Sequence, residues 1–181
     1  MKVLNIEIKT KCDFPEKIEK ILIENHARFI GEDHQIDTYF QVDEGKLKLR
    51  EGNIENSLIL YIRDEQKGLK RSEILLYKPI GDSGTLKQIL TKTLGISVIV
   101  DKKRKIFFIK NVKFHIDEVK ELGSFVEIEA IDETGEIGEK KLKDQCNKYI
   151  KLLELTDSEF LDLSYSDMLL NPDQSTFICL R

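Results

Sequence analysis

Apolar and polar residues alternate along "NIEIKTK", Asn5 to Lys11: Ile6 and Ile8 fall between Asn5, Glu7, Lys9 and Lys11. Period two is that of a β-strand with one apolar and one charged face. The same alternation predicts strands over Val3–Lys11, Ile36–Val42, Lys46–Arg50, Ser57–Arg63, Arg71–Tyr77, Ile96–Lys103, Arg104–Lys110, Val112–Asp117 and Ser124–Ile131. Breaks such as "DEGK", "REGNIEN", "DEQKG", "KELG" and "DETG" separate them. Most are of hairpin length, which favours antiparallel pairing.

Three segments carry the helical period instead. "DFPEKIEKILIENHARFIG" places Asp13 as N-cap, Glu16 at capping-box spacing, Pro15 in the first turn and Ile18, Ile21, Leu22 and Phe29 on one face. "SGTLKQILTKTLG" lines up Leu86, Ile89, Leu90 and Leu94, and "GEKKLKDQCNKYIKLLELT" lines up Leu142, Cys146, Tyr149, Ile150 and Leu153. No repeat or Pro/Gly-rich linker interrupts the chain, so residues 1–181 read as a single α+β domain.

The charged faces of the strands are not uniform. Lys46, Lys48 and Arg50 share one face; Arg63 ends the next strand; Arg71 and Glu73 follow; Lys102 and Arg104 open "KKRKIFF"; Asp117 closes "FHID"; Glu127 and Glu129 alternate in "SFVEIEAI". An antiparallel sheet with one face in water accounts for any single strand. Three amphipathic helices, however, need an apolar surface to cover. If they cover the apolar face and the sheet closes, the charges point into a lumen. Charges so placed must be paired or bound. Bases facing clustered carboxylates describe a polyanion with divalent cations, triphosphate with Mg²⁺ being the natural candidate.

Bulk properties narrow the alternatives. A net charge of −4 gives no support for nucleic-acid or anionic-membrane binding. No run of about 18 apolar residues predicts a membrane span. Cys12, Cys146 and Cys179 are scattered without a metal-ligand pattern, as expected of reduced thiols in a cytoplasmic protein. His26, His34 and His115 form no motif, and His115 is expected to pack or to face outward.

The ordered set "NIEIK", "DTYF", "KLKLRE", "KRSE", "KKRKIFF", "FHIDEVKELGSFVEIE" and "SYSDML" resembles the CYTH family, the triphosphate tunnel metalloenzymes, and within it the class IV adenylyl cyclase branch. The resemblance implies an eight-stranded antiparallel closed β-barrel with helices packed outside, a lumen that binds triphosphate, and dependence on Mg²⁺ or Mn²⁺. Carried over by position, it implies phosphate-binding roles for Lys9, Arg50, Arg63, Arg71, Lys102 and Arg104, with Lys48 beside them. It implies metal-holding roles for Glu7, Asp117, Glu127 and Glu129, with Glu73 a further acid, and substrate contact by Tyr165 at one barrel mouth. Glu7, Lys9, Arg50 and Glu127 would be the catalytic set. The family's E-x-E-x-K motif falls on Asn5, Glu7 and Lys9, so Asn5 departs from it: the oxygen acceptor stays and the charge goes.

The implied reaction converts ATP to cyclic AMP and pyrophosphate. The alternatives are hydrolysis of inorganic triphosphate, thiamine triphosphate or a nucleotide, and a non-catalytic module that binds nucleotide or polyphosphate. Family members often dimerise; nothing in the sequence marks an interface.

Overall fold

The computed structural model describes residues 2–63, 69–156 and 160–172, without the side chains of residues 2, 3, 63 and 70. Eight strands form a closed antiparallel barrel in the order β1-β5-β4-β3-β2-β6-β7-β8. They are β1 (Lys2–Lys11), β2 (Arg28–Phe40), β3 (Lys46–Glu51), β4 (Ser57–Arg63), β5 (Lys70–Tyr77), β6 (Ile96–Ile109), β7 (Val112–Val119) and β8 (Gly123–Asp132). The helices are α1 (Pro15–Glu24), α2 (Gly84–Leu94), α3 (Glu139–Leu152) and α4 (Tyr165–Leu170). The expected fold is the observed one.

Alternation decides which way each side chain points. On β1, Ile6 and Ile8 face outward into a core completed by Phe114, Ile116, Val126, Ile128 and Ala130 of β7 and β8. Ile18 and Leu22 of α1 and Leu142, Cys146, Tyr149 and Ile150 of α3 close that core from outside. Burying both faces of β1, β7 and β8 leaves their charged residues inside the barrel. α2 lies against β2. Among the described residues nothing covers the outer faces of β4 and β5, where Ile62, Leu75 and Tyr77 are exposed.

A second cluster plugs one end of the lumen. Tyr39, Tyr61, Val100, Val119 and Phe125 meet Leu161, Tyr165 and Met168 from the chain around α4. Ser164 caps α4 in a reciprocal capping box with Asp167. Lys46 Nζ of β3 donates to Ser164 Oγ at 2.7 Å and also bonds Asp167, tying the plug to the wall.

Three local expectations are corrected. Helix α1 ends at Glu24, not Gly31; Phe14 takes the N-cap position without a side-chain cap, and Pro15 opens the helix. Residues from Arg28 onward extend β2 instead. There Phe29 packs on Phe107 of β6, ring centroids 4.8 Å apart, and Gly31, at φ 150°, absorbs a register shift. The two strands expected at Ile96–Lys103 and Arg104–Lys110 are one, because Val100, Lys102, Arg104 and Ile106 keep a single phase. Charged residues alone do not make a turn.

Candidate functional site

The register brings the luminal charges to common levels. Lys9 of β1 lies opposite Glu127 of β8, and Glu7 opposite Glu129. Across β7 and β6, His115 pairs with Glu127, and Arg104 with Asp117. Arg50 of β3 pairs with Asp37 of β2. Glu7, Lys9, Arg50, Arg104, His115, Glu127 and Glu129 line one cavity of about 570 Å³, while Asp37 and Asp117 bond Arg50 and Arg104 from behind its lining.

Two hubs organise it. Asp37, 1% exposed, accepts from Lys48 Nζ at 2.8 Å, Lys102 Nζ at 2.7 Å, and Arg50 Nε and Nη2 at 2.8 and 2.9 Å. Burial alone would raise its carboxyl; Arg50, Lys102 and Lys48 outweigh burial and hold it well below the usual range. Asp37 thus aims three bases that repel one another. Burial, aided by Arg50, Arg104 and Lys48 and opposed by Asp37, pushes the Lys102 ammonium down to about 7.

In the second hub Arg104 forks onto Asp117 and reaches Glu127 Oε2 at 2.7 Å. Lys9 Nζ approaches Glu127 Oε1 at 2.9 Å and sits 3.8 Å from the centre of the Tyr165 ring. Tyr165, expected near a barrel mouth, lies in the plug and donates its hydroxyl to Asp117 at 2.7 Å. Lys9, Arg104 and His115 hold Glu127 ionised against the effect of burial.

Glu55 reaches the lumen from the loop between β3 and β4. It accepts from Arg50 Nη1 at 3.0 Å and from Lys113 of β7. Asp33 of β2 clips that loop by accepting from the backbone N–H of Ile54 and Glu55.

Several expected residues fall elsewhere. Arg71 does not line the lumen: Ser72 pairs with luminal Asn5, so Arg71 and Glu73 turn outward. Arg71 there meets Glu73 at 3.3 Å and Glu139 of α3 at 3.5 Å. The inward positions of β5 are Ser72, Ile74 and Leu76, because Leu75 occupies the outer face. Arg63 ends β4, and its side chain lies outside the described residues. Among the described residues no three His, Cys, Asp or Glu side chains converge closely enough to hold a metal ion by themselves.

Sequence reasoning missed four luminal residues. Lys113 and His115 share the phase of Asp117 in "VKFHID", and Asp37 shares that of Tyr39 in "DTYF". That parity was the available signal. Glu55, on a loop, had none.

His115, 2% exposed, is inside the barrel, not packed outside it. Its Nδ1 meets Glu127 Oε2 at 3.1 Å. Burial first, then Arg104 and Lys113, push it down to about 3 against the pull of Glu127, so it is neutral. Below a pH of about 6.5 the unfolded chain takes up a proton that folded His115 refuses, and stability is lost as pH falls toward 3. Urea unfolding from about pH 7 down to about 4 should therefore fall less steeply for His115→Gln than for the wild type.

Residues 4–160 match the family model described as the CYTH domain. The chain belongs to the CYTH family. A Methanocaldococcus jannaschii protein named "Putative adenylate cyclase" is 25% identical over 177 residues, covering 92% of this CYTH chain and 98% of the relative. A solved structure from Pyrococcus horikoshii has a TM-score of 0.70 at 22% identity, covering 90% of this chain and 98% of that one. A Hippeastrum structure, described as a putative adenylyl cyclase with a dominant triphosphatase activity, has a TM-score of 0.59 at 11% identity, covering 96% of each chain. At these identities the two structures support the fold.

Proposed function

We propose that this CYTH chain is a divalent-metal-dependent enzyme that binds a triphosphate in its lumen and cyclises ATP to cyclic AMP and pyrophosphate. The observation that carries the reading is the convergence of Lys9, Lys48, Arg50, Lys102, Arg104 and Lys113 on one plugged cavity. Arginine forks and lysine point charges together suit phosphate oxygens.

The acids of the cavity support the metal. Glu7, Glu55, Glu127 and Glu129 of the lining, with Asp37 and Asp117 bonded to Lys102 and Arg104, already engage or face those six bases, so an entering polyanion adds charge that the protein does not offset. Mg²⁺ or Mn²⁺, held by Glu7 and Glu129 and by Glu127 and Asp117 once Arg104 turns to phosphate, would supply the missing charge and polarise the reacting phosphoryl oxygens. Arg50 and Arg104 would grip the phosphate chain and align it. The ribose 3′-hydroxyl attacks the α-phosphorus; the bond to the β-phosphate oxygen breaks, pyrophosphate leaves with the electron pair, and the hydroxyl proton is released.

Apolar residues on the opposite wall favour a substrate with an organic part. Ile59, Tyr61, Ile74 and Leu76 line the β4–β5 side. Hydrolysis of a triphosphate is the second reading, favoured by the likeness to the Hippeastrum protein described as a dominant triphosphatase. One assay separates them: ATP, inorganic triphosphate and thiamine triphosphate, each with Mg²⁺ or Mn²⁺, with cyclic AMP, pyrophosphate and phosphate resolved. Cyclic AMP with equimolar pyrophosphate is expected; phosphate alone favours the second reading, and no product from any substrate overturns both.

Lys102 makes binding pH-dependent. A polyanion beside it raises its proton affinity, so binding takes up a proton wherever free Lys102 is neutral, above about 7. Triphosphate affinity should fall as pH rises from about 7 to about 9. Calorimetry in buffers of different ionisation enthalpy should register the proton uptake; the same affinity and no uptake across that range would remove Lys102 from the site.

A further inference from the structure

We infer that Asn5 Oδ1 and Ser72 Oγ form a neutral subsite for the sugar hydroxyls of a ribonucleoside triphosphate, so that the lumen selects such a substrate over inorganic triphosphate. The inference rests on the triphosphate-binding reading given above and deepens it by naming what the organic part must carry.

Asn5 and Ser72 are 1% and 2% exposed, and both line the cavity. They are direct cross-strand partners, Asn5 on β1 and Ser72 on β5. Asn5 Nδ2 donates to Glu129 Oε1 at 2.6 Å. That bond fixes the amide, because the flipped orientation would set two acceptor oxygens against each other. Asn5 Oδ1 and Ser72 Oγ are buried and have no hydrogen-bond partner among the described residues. Unsatisfied polar oxygens on neighbouring strands of one cavity call for a common partner.

Their chemistry restricts that partner. An amide oxygen only accepts, whereas a hydroxyl donates or accepts. A phosphate oxygen would meet Asn5 Oδ1 lone pair to lone pair. A pair of hydroxyls satisfies both atoms, one donating to Oδ1 and the other donating to or accepting from Oγ. The surroundings say which hydroxyls. Along the luminal face of β1, Asn5 is followed by Glu7 and Lys9, where the charged wall begins. Ile131 of β8 flanks Asn5 on its other side, and Ile74 and Leu76 follow Ser72 on the luminal face of β5. The lining thus passes from charged through neutral polar to apolar. A nucleotide runs in the same order, from phosphate through sugar to base.

Isothermal titration of ATP, 2′,3′-dideoxy-ATP and inorganic triphosphate, each with Mg²⁺, into wild type, Ser72→Ala and Asn5→Leu tests this. The wild type is expected to bind ATP about tenfold more tightly than 2′,3′-dideoxy-ATP, the difference that neutral hydrogen bonds make in competition with water. Ser72→Ala should weaken ATP by about threefold to tenfold while inorganic triphosphate stays within about twofold. Asn5→Leu also releases Glu129, so its readout is the ratio of the nucleotide affinities, which should fall to about threefold or less. Circular dichroism establishes that each variant is folded, and Ser72→Ala should melt as the wild type does, because its hydroxyl has no partner to lose. Inorganic triphosphate bound without ATP, no preference for ATP over the dideoxy form, or the same preference in either folded variant would overturn the subsite and leave triphosphate binding standing. The expected preference without turnover of ATP sinks the enzyme reading alone, and binding of no triphosphate overturns both.

Discussion

Arg50→Ala should lower kcat/KM for the preferred triphosphate by about 10²–10³-fold while the barrel stays folded, the usual cost of losing one preorganised charge-stabilising donor. Its guanidinium is held by Asp37 through Nε and Nη2, which leaves Nη1 aimed into the cavity. The partner of Nη1 is Glu55, carried on a loop, whose place a phosphate oxygen can take. Removing Arg50 deletes that contact without stranding Asp37, which keeps Lys48 and Lys102. Arg50→Lys should recover little, because an ammonium cannot grip Asp37 and reach phosphate at once. Steady-state kinetics with circular dichroism checks both parts; near-normal turnover would remove Arg50 from the site.

Asp37→Ala should give the largest loss of stability at the site. It leaves Lys48, Arg50 and Lys102 buried together without their common counter-ion. Removing one partner of a buried ion pair costs about 3–5 kcal/mol. For a chain of this length, that corresponds to a fall in Tm of about 6–20 °C. The sign with pH follows from the depressed carboxyl: its stabilisation is present above the unfolded value of about 3.9 and is lost as pH falls through the lower folded value. The Tm difference between wild type and variant should therefore be large near neutrality and shrink in strong acid. A variant melting within about 2 °C of the wild type at neutral pH would show that Asp37 is not the hub the geometry makes it.

Much of this was legible in alternation. Ile6 and Ile8 against Glu7 and Lys9 fixed the two faces of β1, and covering Ile6 and Ile8 with Leu142 and Cys146 required the charges to turn inward. The same logic reached Lys48, Arg50, Lys102, Arg104, Glu127 and Glu129. It failed at β5, where "RSEILLY" fits either phase until pairing with Asn5 sends Ser72 inward and Arg71 outward. His115 was misplaced for a related reason: a lone histidine says little by itself, while its phase with Asp117 placed it in the lumen. Glu55 was beyond sequence reasoning. It depends on Asp33 clipping residues 21 and 22 positions downstream, a contact that exists only once the barrel has closed.

The central claim is that the lumen exists to bind a triphosphate. Isothermal titration of inorganic triphosphate into the protein with Mg²⁺ tests it most directly, with Arg50→Ala in parallel. One triphosphate per chain, with affinity reduced at least about tenfold by Arg50→Ala, is the expected result. Absence of binding with both Mg²⁺ and Mn²⁺, or equal binding by wild type and Arg50→Ala, would contradict it.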